Sequence, residues 1–139
     1  MTPDNGSIAS GRPDFEQSPL HRHVGLELLD PQQPHLGCRF TAGSHLDGRP
    51  GSLNGGVLSM ILDATAFLAL EPLLDDDEDA ISHDLHISML RGVRTGDVVE
   101  LRGTVVQRGR RVAFVNSEAT VDGRIVATAR ITKSIVRNG

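Results

Sequence analysis

The segment LNGGVLSMILDATAFLAL, residues 53–70, constrains the fold of this chain more than any other part of its sequence. It is apolar on nearly every side of a helix, it opens with Gly55 and Gly56, and it carries one carboxylate, Asp63, near its middle. A helix of this kind has to be enclosed by other elements. We therefore predict a buried helix over about 54–70, closed by Pro72.

Alternating apolar and polar residues on both sides of this helix predict strands. Residues 24–30 and 36–42 are strand candidates before the helix, and 43–52 is typical of a loop. We predict that the second half forms a four-stranded antiparallel meander that curves around the helix, with strands at 80–90, 97–107, 112–121 and 124–136. The smallest residues of these strands leave room for the helix: Gly103, Ala127 and Ala129.

The length of 139 residues fits a single domain with a sizeable core. Residues 1–20 are rich in Pro, Gly, Ser and Asp, which predicts a flexible or loosely docked arm, and 21–139 then form the domain. We expect no apolar run of membrane-spanning length, no signal peptide is visible, and the single Cys38 has no partner for an internal disulfide. We expect a cytoplasmic protein.

Composition argues against a nucleic-acid partner. The net charge is -4, and the chain has four Phe but no Trp or Tyr with which to stack bases. Residues 1–80 hold 4 arginines and 13 acids, whereas 81–139 hold 10 basic and 5 acidic residues. The basic half fits a plain solvated surface and equally a small phosphorylated ligand.

Two other clusters suggest metal binding only at first sight. Asp75 to Asp79 is a run of five acids, and we predict a solvated loop because adjacent like charges repel. His83 and His86 are three residues apart on a predicted strand, which places them on opposite faces. We expect no metal site.

The N-terminal end and the middle of the long helix contain its candidate functional residues. Unpaired N–H groups at Gly55 and Gly56 can hold an anion, and the missing side chains let a ligand approach, although a tight turn into the helix needs the same residues. Asn54 is a good N-cap residue. Asp63 costs several kcal/mol to bury unless it is paired, so it is either a hydrogen-bonded structural residue or a nucleophile or general base.

The predicted element order resembles the hotdog fold, an α+β fold in which a curved antiparallel sheet wraps around one long helix. Three segments, at 54–70, 82–99 and 123–135, resemble the acyl-CoA thioesterases of the phenylacetate pathway, and the resemblance covers roughly residues 24–136. It implies hydrolysis of an acyl-CoA to a free acid and CoA. It implies no metal or redox cofactor, since coenzyme A is part of the substrate.

The resemblance also implies roles for individual residues. Gly55 supplies the N–H that holds the thioester oxygen, Asp63 is the catalytic acid, and Ser82 bonds the attacking water or the acid. Asn54 stands where the family usually has His, and Asn donates a hydrogen bond but transfers no proton. Some relatives have a further Asn where this chain has Gly48.

Arginines at turns and strand ends are candidates for the CoA phosphates, which guanidinium groups hold well. Any single arginine at such a position is also commonly just solvated. We predict that the following residues contact CoA: Gly56, Arg91, Arg108, Arg110 and Arg111.

Helix geometry predicts a homodimer. Gly55 and Asp63 are about 12 Å apart along the axis at about 1.5 Å per residue, too far to serve one thioester. Two subunits paired antiparallel by a two-fold axis would bring Gly55 of one beside Asp63 of the other. The resemblance implies that such dimers often pair again into tetramers.

Two alternatives remain open. The segment HLDGRPGSLNGGVL, residues 45–58, is similar to the acyl-thioester dehydratases of the hotdog class, with His45 as base, but it is two residues longer and its acid is displaced. A non-catalytic acyl-CoA binder is favoured if the missing His matters. The product of the reaction distinguishes the three.

Overall fold

The computed structural model describes residues 14–137. Within them the elements in chain order are α1 (Pro19–Val24), β1 (Glu27–Leu28), β2 (Cys38–Thr41), α2 (Gly55–Leu70), β3 (Glu78–Met89), β4 (Val98–Arg108), β5 (Val112–Val121) and β6 (Arg124–Arg137). Short 3-10 turns lie at Pro34–Leu36, Ser44–Leu46 and Glu71–Leu73.

Helix α2 confirms the predicted central helix. It begins at Gly55 because the Asn54 side chain accepts a hydrogen bond from the Val57 N–H at 3.1 Å, which is the N-cap interaction. It ends where the 3-10 turn Glu71–Leu73 follows. Seven of its 16 residues are buried, and one stripe of half-buried residues runs along it: Met60, Asp63, Ala64 and Phe67.

One expectation about this helix is wrong. The stretch Gly55–Leu73 is long and apolar enough to cross a membrane by length and composition alone. Enclosed core helices of globular proteins meet the same criteria, and α2 packs against β4, β5, β6 and β3. We therefore interpret it as a core helix.

The six strands form one antiparallel sheet in the order β1-β2-β4-β5-β6-β3, and it wraps around α2 as in the hotdog fold. Gly103 on β4 lies so close to the helix that a Cβ there would sit 2.9 Å from Ala69 Cβ and 3.1 Å from Thr65 O. The predicted need for small residues is confirmed at this position. Ser117 on β5 also contacts the helix, since its Oγ donates to Leu62 O at 2.8 Å.

The predicted four-stranded meander is wrong in one respect. β4, β5 and β6 are consecutive neighbours, but β3 pairs with β6 and lies at the edge of the sheet. The free side of β4 is taken by β2, with Cys38 opposite Leu101. Alternation along a strand shows which residues face the core, but it does not encode which strand lies alongside.

The N-terminal part differs from the strand predicted at 24–30, because Pro19–Val24 is a helix and only Glu27–Leu28 is a strand. Of the predicted arm, 1–20, residues 1–13 lie outside the described residues. From residue 14 the chain contacts the domain, with Glu16 Oε2 accepting from the Leu28 N–H at 3.1 Å. The division into arm and domain stays a prediction.

The acidic run is not all solvated loop as predicted. Asp75 to Asp77 are exposed, but Glu78 begins β3 and is only 1% exposed. Its carboxylate pairs with the guanidinium groups of Arg108 and Arg137. Those two cations supply the partners that a buried carboxylate needs.

A bulge in β3 decides which of its residues face the helix. Ser82 lies opposite Lys133 and Asp84 lies opposite Thr132, so His83 is an extra residue. An extra residue reverses the alternation of a strand. Ser82 therefore shares the helix-facing side with apolar residues further along β3: Leu85, Ile87 and Met89.

The bulge also overturns the predicted placement of the two histidines. His83 Nδ1 lies 2.8 Å from Ser134 Oγ, and His86 lies opposite Arg130, so both occupy the outer face of the sheet. The reason is that His83 is itself the extra residue of the bulge. No group of three or more His, Cys, Asp or Glu side chains suited to a metal ion occurs within residues 14–137.

Candidate active site

Asp63 lies at the centre of the half-buried stripe of α2, and its side chain is 34% exposed. Ser82 on β3 donates its hydroxyl to Asp63 Oδ1 at 2.5 Å. Lys133 on β6 approaches the same oxygen, with Nζ 3.3 Å away. Within the described residues both contacts fall on Oδ1, so Oδ2 remains available to a substrate or to water.

Ser82 and Lys133 also contact each other. They are direct cross-strand partners, and Lys133 Nζ donates to Ser82 Oγ at 2.6 Å. Three elements thus meet at one point, with the carboxylate from the helix and the other two groups from neighbouring strands. The contact between Ser82 and the acid agrees with the role implied for Ser82 from the sequence.

Sequence reasoning missed Lys133. One signal could have found it, because the chain has 13 arginines and this single lysine. A second is the alternation along β6, which places Lys133 on the same buried face as Ala127, Ala129 and Ile131. A lone lysine on a core-facing position is unusual enough to suggest a specific partner.

The environment of Lys133 is apolar apart from its partners. Its side chain is 4% exposed, and Nζ lies 5.8 Å from the centre of the Phe67 ring. Burial lowers the pKa of Lys133 below the ordinary 10.5, and the carboxylates of Asp63 and Asp79 offset this only in part.

A cavity of about 330 Å³ opens beside these three residues. Its walls are partly apolar, with Met60, Ala64 and Phe67 from α2 and Phe15 from the segment before α1. Its polar lining is completed by the following side chains: His21, Glu71, Asp79, Ser82 and Lys133. The cavity can hold a small apolar group against Asp63.

The N-terminus of α2 lines a different cavity, of about 250 Å³, together with Arg91. A Cβ added at Gly55 would meet only Met89 Cε at 3.7 Å, an ordinary contact. The chain's own packing therefore does not require glycine at 55, and the open N–H end is accessible to a ligand. At Gly56 a Cβ would lie 3.0 Å from Asn54 Oδ1, so glycine there protects the N-cap.

Asn54 uses Oδ1 for the cap, which leaves its Nδ2 as its side-chain donor. The neighbouring Gly48 is closely packed against it, since a Cβ at 48 would lie 3.2 Å from Asn54 Cα and 3.2 Å from Nδ2. The extra Asn that some relatives have at the position of Gly48 would not fit beside Asn54 without a shift.

A comparison with known protein families identifies the family of this chain. Residues 50–128, more than half of the chain, match the family model described as the thioesterase superfamily. The chain belongs to the thioesterase superfamily. The matched range contains the glycine pair, Asp63 and Ser82, but it ends before Lys133.

Solved structures place this superfamily member among hotdog proteins. A phenylacetic acid degradation-related protein of Ralstonia eutropha is 25% identical, with a TM-score of 0.75 over 92% of this chain and 96% of that one. A conserved protein of Pseudomonas aeruginosa is 27% identical, with a TM-score of 0.77 over 89% and 100%. A Bacillus halodurans protein solved with CoA is 18% identical, with a TM-score of 0.75 over 84% and 75%. The search of curated proteins found no match.

The arginines predicted to contact CoA in this superfamily member lie in two places. Arg91 shares the cavity of Gly55, whereas Arg110 and Arg111 are exposed in the turn between β4 and β5. Arg108 is occupied by the chain itself, because its guanidinium pairs with Glu78 and its Nε donates to Leu73 O at 3.2 Å. The contact of Arg108 with Leu73 puts this turn near the C-terminal end of α2, whereas Arg91 lies near its N-terminal end, and the helix between them is about 24 Å long at about 1.5 Å per residue.

Proposed function

We propose that this protein hydrolyses an acyl-CoA thioester to a free acid and CoA at two composite sites of a homodimer. The observation that carries the proposal is the hydrogen-bonded carboxylate of Asp63 in the middle of a core helix, turned toward a cavity. Membership in the thioesterase superfamily supports the reaction class.

The separation between the N–H donor Gly55 and the carboxylate Asp63 on one helix supports a dimer. Gly55 and Asp63 line different cavities that have no residue in common. At about 1.5 Å per residue they lie about 12 Å apart along α2. A carbonyl carbon attacked at Asp63 therefore needs an N–H donor from a second subunit.

Strand β3 is suited to pair with a second copy. It is 12 residues long and lies at the edge of the sheet, so one row of its backbone groups has no partner strand within the described residues. Leu85 and Met89 face the helix side, yet they are 43% and 46% exposed. Antiparallel pairing of two β3 strands would cover them and lay the two α2 helices side by side in opposite directions.

In this dimer the N–H of Gly55 donates to the thioester carbonyl oxygen and stabilises the negative charge that develops there. Asn54 contributes through Nδ2, because its Oδ1 caps the helix. Asp63 of the other subunit either attacks the carbonyl carbon through Oδ2 or takes a proton from a water that attacks. The tetrahedral intermediate then collapses, and the CoA thiolate leaves. On the water route this gives the free acid directly. On the route of direct attack it leaves an acyl–Asp63 anhydride, which water then hydrolyses to the free acid and the Asp63 carboxylate.

The nucleotide end of CoA is held by arginines from both subunits. Arg91 lies beside Gly55 of one subunit, and antiparallel pairing brings the turn of Arg110 and Arg111 from the other subunit toward the same end. Arg108 supports that turn through Glu78. The Bacillus halodurans protein of similar fold was solved with CoA, which supports this ligand class.

The dehydratase alternative depends on His45, and its surroundings do not favour it. His45 Nε2 lies 2.9 Å from His23 O, and its ring packs edge-on against His23. It lines neither cavity described above. With Nε2 at that carbonyl, only Nδ1 could accept a substrate proton, and neither cavity brings a substrate to it.

A product assay tests the proposal. Purified protein is incubated with a panel of aryl and alkyl acyl-CoA substrates, and free thiol and enoyl-CoA are quantified. Thiol release supports hydrolysis. Enoyl formation would support the dehydratase, and retained binding of acyl-CoA with neither product would support a binding protein. The cytoplasmic location stays a prediction.

A further inference from the structure

The single lysine of this chain is buried where a lysine is costly. An ammonium group loses its hydration when it enters the interior, and a buried ion pair is often no more stable than apolar side chains of similar volume. Lys133 nevertheless lies on the core face of β6, among alanine and isoleucine side chains. Its presence there is better explained by what it does to Ser82 and Asp63 than by stability.

Hydrogen-bond chemistry fixes the direction of the contacts. A charged ammonium group has three donors and no acceptor, so Lys133 must donate to Ser82 Oγ across the 2.6 Å contact. Ser82 has one hydroxyl proton, and with its oxygen already accepting, that proton goes to Asp63 Oδ1 at 2.5 Å. A neutral amine could accept instead, and Ser82 would then be able to turn its proton toward Lys133.

We propose that Lys133 is a positioning residue of the hydrolytic site, whose charge commits the Ser82 hydroxyl to Asp63 Oδ1 and thereby holds Oδ2 toward the substrate. This inference rests on the proposed hydrolysis. Lys133 acts through Ser82 and Asp63 and needs no contact with the substrate. Loss of its proton at alkaline pH releases Ser82 and reduces turnover.

Several charged groups surround Lys133 and set its titration. Asp63 faces it from α2, and Asp79 acts on it from β3. Glu71 and His21 line the same cavity from the end of α2 and from α1. Because desolvation outweighs these neighbours, Lys133 loses its proton below the ordinary lysine range.

The first experiment is a double-mutant cycle on kcat with K133M, S82A and the double variant. Methionine keeps the length of the buried stem and removes the charge. We expect K133M to lower kcat about 100-fold in the wild-type background and by less than about threefold in the S82A background, because the charge acts through the hydroxyl. Equal losses in both backgrounds would assign Lys133 a merely structural role and overturn the proposal, as would unchanged turnover in K133M.

The second experiment uses the fact that there is only one lysine. Wild-type protein labelled with carbon-13 lysine gives a single lysine NMR signal, and the titration of that signal reports Lys133 directly. The experiment therefore does not depend on whether a variant folds. We expect its midpoint to coincide with the alkaline fall of kcat in the wild type. A fall at another pH, or none up to the lysine midpoint, would overturn the proposal.

Two other results can be told apart from those of the two experiments above. Mass spectrometry that finds an acyl group on Ser82 would make Ser82 a nucleophile with Lys133 as its base, and would overturn the positioning role. A wild-type protein that releases no thiol from any acyl-CoA would refute the proposed function, and the role of Lys133 with it.

Discussion

Gly55 and Asp63 lie on the same helix, α2, but line separate cavities. The cavity of Gly55 is at the N-terminal end of the helix, and that of Asp63 is at its middle. The helix is rigid and about 24 Å long at about 1.5 Å per residue, so no local movement brings the two residues together. This relationship is the physical reason for proposing that two subunits share each site.

Removing the Gly55 N–H by G55P should abolish most of the activity without disturbing the helix. Proline is tolerated at the first helical position, and Asn54 already has the extended conformation, with φ -65° and ψ 127°, that a residue before proline prefers. We expect kcat to fall about 10²–10³-fold, as for loss of one oxyanion donor. Thiol release and far-UV circular dichroism are the measurements.

The matched control for G55P is G55A, which keeps the N–H and adds a methyl group where the chain leaves space. We expect its melting temperature to be at or above that of the wild type, because alanine favours a helix over glycine. Full activity in G55P alongside normal folding would remove Gly55 from the mechanism.

D63N should remove thiol release while the protein remains folded and dimeric. The amide oxygen still accepts from Ser82 and Lys133, so the local contacts are kept, but asparagine neither attacks as an anion nor takes a proton at neutral pH. We expect a loss of at least about 100-fold in kcat. Turnover within a few-fold of the wild type, measured on protein freed of residual wild-type enzyme, contradicts the assignment.

Stability should depend on pH through Lys133. Its pKa is lowered by burial in the folded protein and is about 10.5 in the unfolded chain, so between the two values the unfolded chain binds more protons. The free energy of unfolding therefore rises with pH through this window. The stability gained in this way is lost again as the pH falls to the folded pKa. Urea unfolding of the wild type should show this rise between neutral pH and 10.5, and K133M should lack it. Parallel curves for the two proteins would show that Lys133 is not perturbed.

The arginines at the end of β4 and in the turn that follows should divide into two classes. R110Q with R111Q is expected to raise KM for acyl-CoA about tenfold without changing the melting temperature, because both side chains are exposed. R108M is expected to lower the melting temperature, because it leaves the buried carboxylate of Glu78 with one cation fewer. Kinetics and thermal unfolding of both variants separate the classes. A stable R108M protein with raised KM would return Arg108 to the CoA site.

Much of the fold could be predicted because its signals are local. The apolar run ending at Leu70 and the N-cap residue Asn54 define α2 to within a residue, and alternation identifies β4, β5 and β6. The position of β3 beside β6 could not be predicted, because pairing depends on contacts distant in sequence. The bulge at His83 has no local signature, and it decides that Ser82 faces the helix.

The candidate site was predictable only where the resemblance implies a role for a residue. Gly55, Asp63 and Ser82 are given roles by the resemblance, whereas Lys133 lies in the resembling segment 123–135 but is given none, and its partners Asp63 and Ser82 are distant in sequence. Arg108 illustrates the opposite case, since an arginine at a strand end that suggests phosphate binding is engaged by Glu78, an acid in a run predicted to be solvated. In both cases the partner is distant in sequence.

Complementation between inactive subunits tests the shared site most directly. G55P and D63N proteins are unfolded together in equal amounts and refolded, and thiol release is compared with each variant refolded alone. A heterodimer has one site with both Gly55 and Asp63 intact, and random pairing makes about half of the dimers mixed, so we expect about a quarter of wild-type activity. Activity no higher than that of the separate variants, in a preparation shown to contain heterodimers, would contradict a site built from two subunits.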